Sequence, residues 1–291
     1  MSIVLAFAAA MSALTAAQTA TPPTADQAIV VEGIRNSRRR ASDFLDKVIP
    51  PAFDARLGRF EDPICPSALG FPPDLRDEVL ARIRTVAAAT RIRVSSGKCT
   101  PNLLLIVVPD KKEMIEAMRR ERQAYLYGVG PDRISRMIKS PDPVASWQVS
   151  EVIGADGLPL RTDGDGFPRL FTTVPPSRLT DTTRTRLLAG IVIVESRALN
   201  GISTRQLADY ALVRTLSPIQ QRDAQAPGSS VLSIFNPGTK PEDAPQSVTW
   251  WDVALLKALA NTRSDMLASL QRSELRDQIV KEMAKVPAEQ R

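Results

Sequence analysis

The first stretch of the chain is almost wholly apolar or small. Met1-Ser2-Ile3-Val4-Leu5-Ala6-Phe7-Ala8-Ala9-Ala10-Met11 runs on to Ala17 without a charged residue. That matches the hydrophobic region of a signal peptide and is shorter than the ~20 apolar residues needed to cross a bilayer as a helix. Small residues follow, and Pro22-Pro23 then opens a polar stretch. A signal peptide over 1–20, cleaved near 17–20, is expected, with a linker at 21–27. The alternative is a buried N-terminal helix. No later stretch is long and apolar enough to be a transmembrane segment.

Downstream, short apolar runs alternate with helical patterns. Ile29-Val30-Val31 predicts a strand at 28–33, and 36–48 reads as a helix stopped by Pro50-Pro51. Asp74 reads as an N-cap, after which Leu75, Val79, Leu80, Ile83, Val86 and Ala87 recur at helical spacing as far as position 90. Leu103-Leu104-Leu105-Ile106-Val107-Val108 is continuously apolar, as in a strand buried on both faces. Asp110 with Glu113 resembles a capping box and starts a helix through 122. A short helix is expected at 132–138, a strand at 144–152, a turn at 154–157 and a strand at 170–174. The run at 187–194 is a strand or a buried helix. Helices are expected at 203–216, 249–260 and 264–286, with a short extended segment at 231–235. In the last helix Leu267, Leu270, Leu275, Ile279, Met283 and Val286 form an imperfect stripe that would dock on its own domain. The order predicts an α+β fold: a single globular domain over 28–291, a mixed β-sheet flanked by helices, and a C-terminal helical tail.

Composition narrows the chemistry. The 291 residues include two cysteines and no histidine. Cys65 and Cys99 in an exported chain most simply form one disulfide, which would tie the 63–66 segment to the start of the strand at Leu103; two free thiols are the alternative. Without histidine there is no Ser-His-Asp or Cys-His triad and no His-bearing zinc site. No metal and no cofactor are expected. The net charge is +6, and the uncharged signal segment does not change it. In an exported protein this charge points to acidic envelope polymers or anionic head groups and away from nucleic acid. The cluster Arg35, Arg38, Arg39, Arg40 reads as a solvated helix face.

Other candidates have plainer readings. Thr162-Asp163-Gly164-Asp165-Gly166 looks like part of a calcium loop but lacks the downstream Glu, and Asp-Gly pairs beside strands usually form turns. Tyr125, Tyr127, Trp147, Trp250 and Trp251 are scattered and read as packing residues, with one of the adjacent tryptophans partly exposed. Glu151 and Glu195 are the carboxylates that stand out in or beside strand candidates, as a hydrolase would need. Solvent-facing strand positions are the plainer account of them.

One stretch is more specific. Ile191-Val192-Ile193-Val194-Glu195 precedes Ser203-Thr204-Arg205-Gln206-Leu207-Ala208-Asp209-Tyr210. Ser230-Val231-Leu232-Ser233-Ile234-Phe235-Asn236-Pro237 follows, and then Val248-Thr249-Trp250-Trp251-Asp252. This resembles the second half of a metzincin-type metalloprotease: an edge strand, the HExxHxxGxxH helix, the Met-turn and a capped helix. The resemblance implies a zincin-like scaffold with a dead, zinc-less site. The first histidine position falls on Gln206 and the catalytic Glu on Leu207. The second histidine falls on Tyr210, the Gly on Val213, the third histidine on Leu216 and the Met-turn methionine on Leu232. Two good capping boxes, Ser203 with Gln206 and Thr249 with Asp252, explain much of the pattern by themselves. The whole chain also resembles exported proteins of Gram-negative bacteria that have no assigned role.

The sequence thus leads to an exported protein, periplasmic or secreted, with a non-catalytic binding or scaffolding role. A groove beside the 206–216 helix would take a peptide or an acidic envelope component. A carboxylate-dependent hydrolase acting on envelope polymer is the alternative. A hydrolase needs convergent carboxylates in a pocket; a binding protein does not.

Overall fold

The computed structural model describes residues 25–49, 56–169, 175, 177–217 and 226–286. The expected signal segment and the strand at 170–174 lie outside the described residues. Contacts divide the chain after Asn36. Of the first unit, only helical backbone from Ala25 is described. The strand expected at 28–33 is therefore corrected: those residues belong to α1, Ala25–Val48. A β-branched run is a weak preference, and extending an existing helix adds one hydrogen bond for each residue fixed.

The second unit, from Ser37 on, holds the sheet. β1 (Arg59–Phe60) and β2 (Pro66–Leu69) precede α2 (Pro73–Ala89). β3 (Leu103–Val108) leads into α3 (Lys111–Glu121) and α4 (Pro131–Lys139). β4 (Val144–Gly154) follows, then a small antiparallel hairpin of β5 (Arg161–Thr162) and β6 (Pro168–Arg169). β7 (Thr183–Glu195) precedes α5 (Thr204–Leu216), α6 (Trp250–Asn261) and α7 (Ala268–Met283). The run at 187–194 is thus strand rather than buried helix.

β2, β3 and β7 run parallel, with Leu103 opposite Gly190 and Val108 opposite Glu195. β1 pairs parallel with the start of β7, at Arg186 and Leu187. β4 runs antiparallel along the other side of β7, with a register shift at Val149/Ser150. A strand has two edges, so β4 is the edge strand on that side and β7 is internal. The metzincin comparison called for an edge strand before the capped helix; here that strand is covered on both sides.

The sheet separates two apolar layers. Leu103, Leu105, Val107, Val192 and Val194 face one layer, packed by α2, α5, α6, α7 and the Ser37–Val48 part of α1. Leu104, Ile106, Val108, Ala189, Ile191 and Ile193 face the other, packed by α3, α4 and the short 3₁₀ turn Gln123–Leu126. Every residue of β3 is buried, as its unbroken apolar run requires. α5 is buried nearly all round, the state of a helix without a polar face. It lies against β7 at Gly190, where an added Cβ would meet the Thr215 carbonyl oxygen at 2.9 Å.

Three further expectations shift. Val231–Phe235 is a 3₁₀ turn rather than an extended segment, because the buried Asp252 carboxylate draws in the Ser230 hydroxyl and the Val231 amide. α2 begins behind Pro72 with no side-chain cap, so Asp74 lies inside its first turn. The cap of α3 is Asp110 accepting from the Lys112 amide. The last helix is shorter than 264–286; Leu275, Ile279 and Met283 of its stripe are buried, whereas Leu267 is exposed.

Candidate functional site

The two cysteines are joined. Cys65 and Cys99 form a disulfide with Cα atoms 6.1 Å apart. The Cys65 amide donates to Asn102 Oδ1 at 2.6 Å, and the Asn102 amide donates back to the Cys65 carbonyl at 3.1 Å. Segment 63–66 is therefore anchored where β3 starts.

α5 carries the positions that the metzincin resemblance marks as vacated. Gln206, Leu207, Tyr210 and Leu216 are all buried. Gln206 is occupied by capping: its Oε1 accepts from the Ser203 amide and hydroxyl, and its Nε2 donates to the Pro245 carbonyl at 3.1 Å. Tyr210 stacks edge-on against Phe235 at 4.8 Å, and burial pushes its phenol above the ordinary value. An open groove lined by Gln206 and Tyr210 is not what this face of α5 presents. Its polar residues serve the join between helices. Arg82 of α2 holds the buried Asp209 carboxylate, which also accepts from the Ser247 hydroxyl and the Val248 amide. Asp252 takes Ser230, Val231 and Thr249 as donors; burial raises its carboxyl above the usual range against the pull of those hydrogen bonds.

The candidate carboxylates do not converge. Glu151 pairs with Arg186 directly across β4 and β7. Glu195 stands at the far end of β7, about 30 Å from there at ~3.3 Å per residue. It accepts from Arg197 at 2.7 Å and from the Lys111 amide at 3.3 Å. The ends of parallel strands are where such sheets commonly bind ligands, and here Glu195 is taken up by the protein's own Arg197 and Lys111 amide. The Lys111 ammonium is buried too, donating to the carbonyls of Ser140 and Asp142.

The calcium-like loop is the turn between β5 and β6. Asp163 accepts from the amides of Asp165 and Phe167 and from Arg169. Arg169 and those amides hold its carboxyl below the usual value. Among the described residues no three acidic or cysteine side chains cluster as metal ligands would. Trp147 is buried with its indole donating to the Tyr125 carbonyl. Trp251 packs between Phe44 and the Arg40 guanidinium, while Trp250 is partly exposed. Arg38 of the basic cluster faces Asp277 near the surface.

A cavity of about 110 Å³ opens where β1, the end of α2, β7 and the end of α6 meet. Ile64, Leu187, Leu216, Leu256 and Leu259 give it an apolar floor, all of them buried. Arg59, Arg91, Arg93 and Asp62 are its charged lining. Arg59 is fixed to the carbonyls of Ala260 and Thr262, and Arg93 to that of Glu61. Arg91 is bound only through its backbone. Its amide donates to Ala88 and the next amide, Ile92, to Ala87, which is the Schellman ending of α2 with Arg91 in the position that glycine favours. Its φ of 64° makes it the one positive-φ non-glycine residue among those described. This site was not anticipated from the sequence. The available signal was an alanine-rich helix running into Thr90-Arg91-Ile92-Arg93 with no glycine to end it.

Set against protein-family models, curated proteins and solved structures, the chain matches none.

Proposed function

We propose that this is an exported, non-catalytic binding protein of the bacterial envelope, periplasmic or secreted, that takes an acidic component at the cavity beside Leu216. One observation carries the reading: among the described residues, three arginines and a single aspartate line a cavity with an apolar floor. Arginine forks suit carboxylate and phosphate groups. The disulfide supports folding in an oxidising compartment, and no described helix is long and apolar enough to cross a membrane.

A hydrolase of envelope polymer would need two carboxylates at one reacting bond. Glu151 and Glu195 each serve a separate ion pair, and among the described residues Asp62 is the one acid at the cavity, which favours binding over hydrolysis. What the chain keeps of the metzincin layout is an order: strand, capped helix, tight turn, capped helix. On the dead-protease reading, Gln206, Leu207, Tyr210 and Leu216 are the vacated zinc positions, turned over to packing.

The test is fractionation followed by capture. The mature chain should be recovered from the periplasm or medium, shortened at its N-terminus and without free thiols. Immobilised, it should retain an acidic component of envelope extract and release it chemically unchanged. A full-length cytoplasmic chain with two free thiols would overturn export, and a cleaved extract component would overturn the non-catalytic role.

A further inference from the structure

We infer that the cavity takes a small amphiphilic carboxylate, its tail on the Leu216 floor and its head at Arg91. This rests on the binding reading above and narrows it to a ligand class. The volume limits the tail. A cavity of about 150 Å³ accepts benzene, so the 110 Å³ here suits a short alkyl chain or a small ring. The lining sets the sign of the head group: three arginines against Asp62 leave two positive charges in excess.

Arg91 identifies where the head group goes. Arg59 and Arg93 already donate to backbone carbonyls. Arg91 has no side-chain hydrogen bond or ion pair to a described residue and is exposed. It also occupies a left-handed backbone position, at φ 64°, which L side chains adopt at a penalty and glycine does not. Helix ending therefore does not explain an arginine here, whereas an arginine without a side-chain partner, lining a cavity with an apolar floor, is what an anionic amphiphile requires. Strained positions of this kind gather at ligand sites.

The test uses the full, disulfide-bonded chain and calorimetric titration with hexanoate, 1-hexanol and hexylamine. Hexanoate is expected to bind about tenfold tighter than hexanol, equivalent to ~1.4 kcal/mol, and hexylamine to bind weakest. Arg91→Gly should weaken hexanoate to the level of hexanol while melting at or above the wild-type temperature, since glycine relaxes the backbone. Ala260→Leu, a good helix former at a lining position of α6, should abolish binding of all three probes while the protein remains folded by circular dichroism. Equal binding of hexanoate and hexanol, full hexanoate affinity in Arg91→Gly, or unchanged binding in Ala260→Leu would each overturn the assignment. If hexanoate fails to bind but the wild-type chain still retains an acidic envelope component, the ligand class is wrong and the binding reading stands. If neither is bound, both fall.

Discussion

Arg82 grips Asp209 with two parallel hydrogen bonds, Nε to Oδ1 at 2.7 Å and Nη2 to Oδ2 at 2.8 Å. The carboxylate has no solvent exposure, while the arginine side chain keeps 23%. The pair is thus asymmetric. Removing the arginine strands a buried charge; removing the acid leaves a guanidinium that can turn to water. Arg82→Met should destabilise the fold by about 3 kcal/mol, and Asp209→Asn by distinctly less. Urea unfolding of both variants decides it. A larger loss for Asp209→Asn would mean that the Ser247 and Val248 contacts matter more than the ion pair.

Asp252 gives a pH dependence of defined sign. Burial holds its carboxyl above the ordinary value of 3.8. Below that pH the group is protonated in both folded and unfolded chains. As pH rises through 3.8 the unfolded chain loses its proton first, which favours unfolding until the folded carboxyl also ionises. The stability of wild type relative to Asp252→Asn should therefore fall as the pH rises above 3.8. Denaturant titrations across that range test this, and a rising difference would show that the four hydrogen bonds outweigh desolvation.

How much of this was legible follows from what each signal depends on. The continuous run at 103–108 could be read because a strand buried on both faces leaves no polar position to confuse it. The capping boxes at Ser203 and Thr249 could be read because they are local, and both are present. The strand expected at 28–33 failed because β-propensity has no force without a partner strand. The extended segment expected at 231–235 failed because Asp252, more than fifteen positions away, bends it into a turn. Glu151 and Glu195 stood out as candidates, but Arg186, which neutralises Glu151, lies across the sheet, a contact that spacing cannot reveal, and Arg197, only two positions along, takes up Glu195. Arg91 was missed for a different reason: its significance lies in a backbone angle and an absent partner.

The disulfide ties stability to the cavity. It closes a loop of 34 positions, a constraint of about 4 kcal/mol on the chain-entropy estimate. Inside that loop are Arg91, Ile92 and Arg93, and Ile64 next to Cys65 pairs with Val94. A Cys65→Ser, Cys99→Ser double variant should unfold at lower urea by an amount corresponding to 2–4 kcal/mol. Under conditions where it stays folded, it should bind hexanoate more weakly than wild type. Lost stability with unchanged binding would show that the cavity wall holds without the bridge.

The closest approach of helix to sheet gives the last prediction. Gly190 of β7 faces Thr215 of α5, and an added Cβ would lie 2.8 Å from Thr215 Cβ and 2.9 Å from its carbonyl oxygen. That carbonyl also accepts from Gln148 of β4 at 2.8 Å, so the helix end cannot retreat without breaking the contact. Gly190→Ala should cost about 2 kcal/mol through overpacking, a fall in Tm of roughly 4–8 °C for a chain of this size. Gly97→Ala, where nothing lies within 4 Å, is the control and should leave Tm unchanged. Because Leu216 follows Thr215 and lines the cavity, the displaced helix end should also weaken hexanoate binding. A Gly190→Ala protein that melts like wild type would show that α5 can slide along the sheet, and a fixed cavity floor could no longer be assumed.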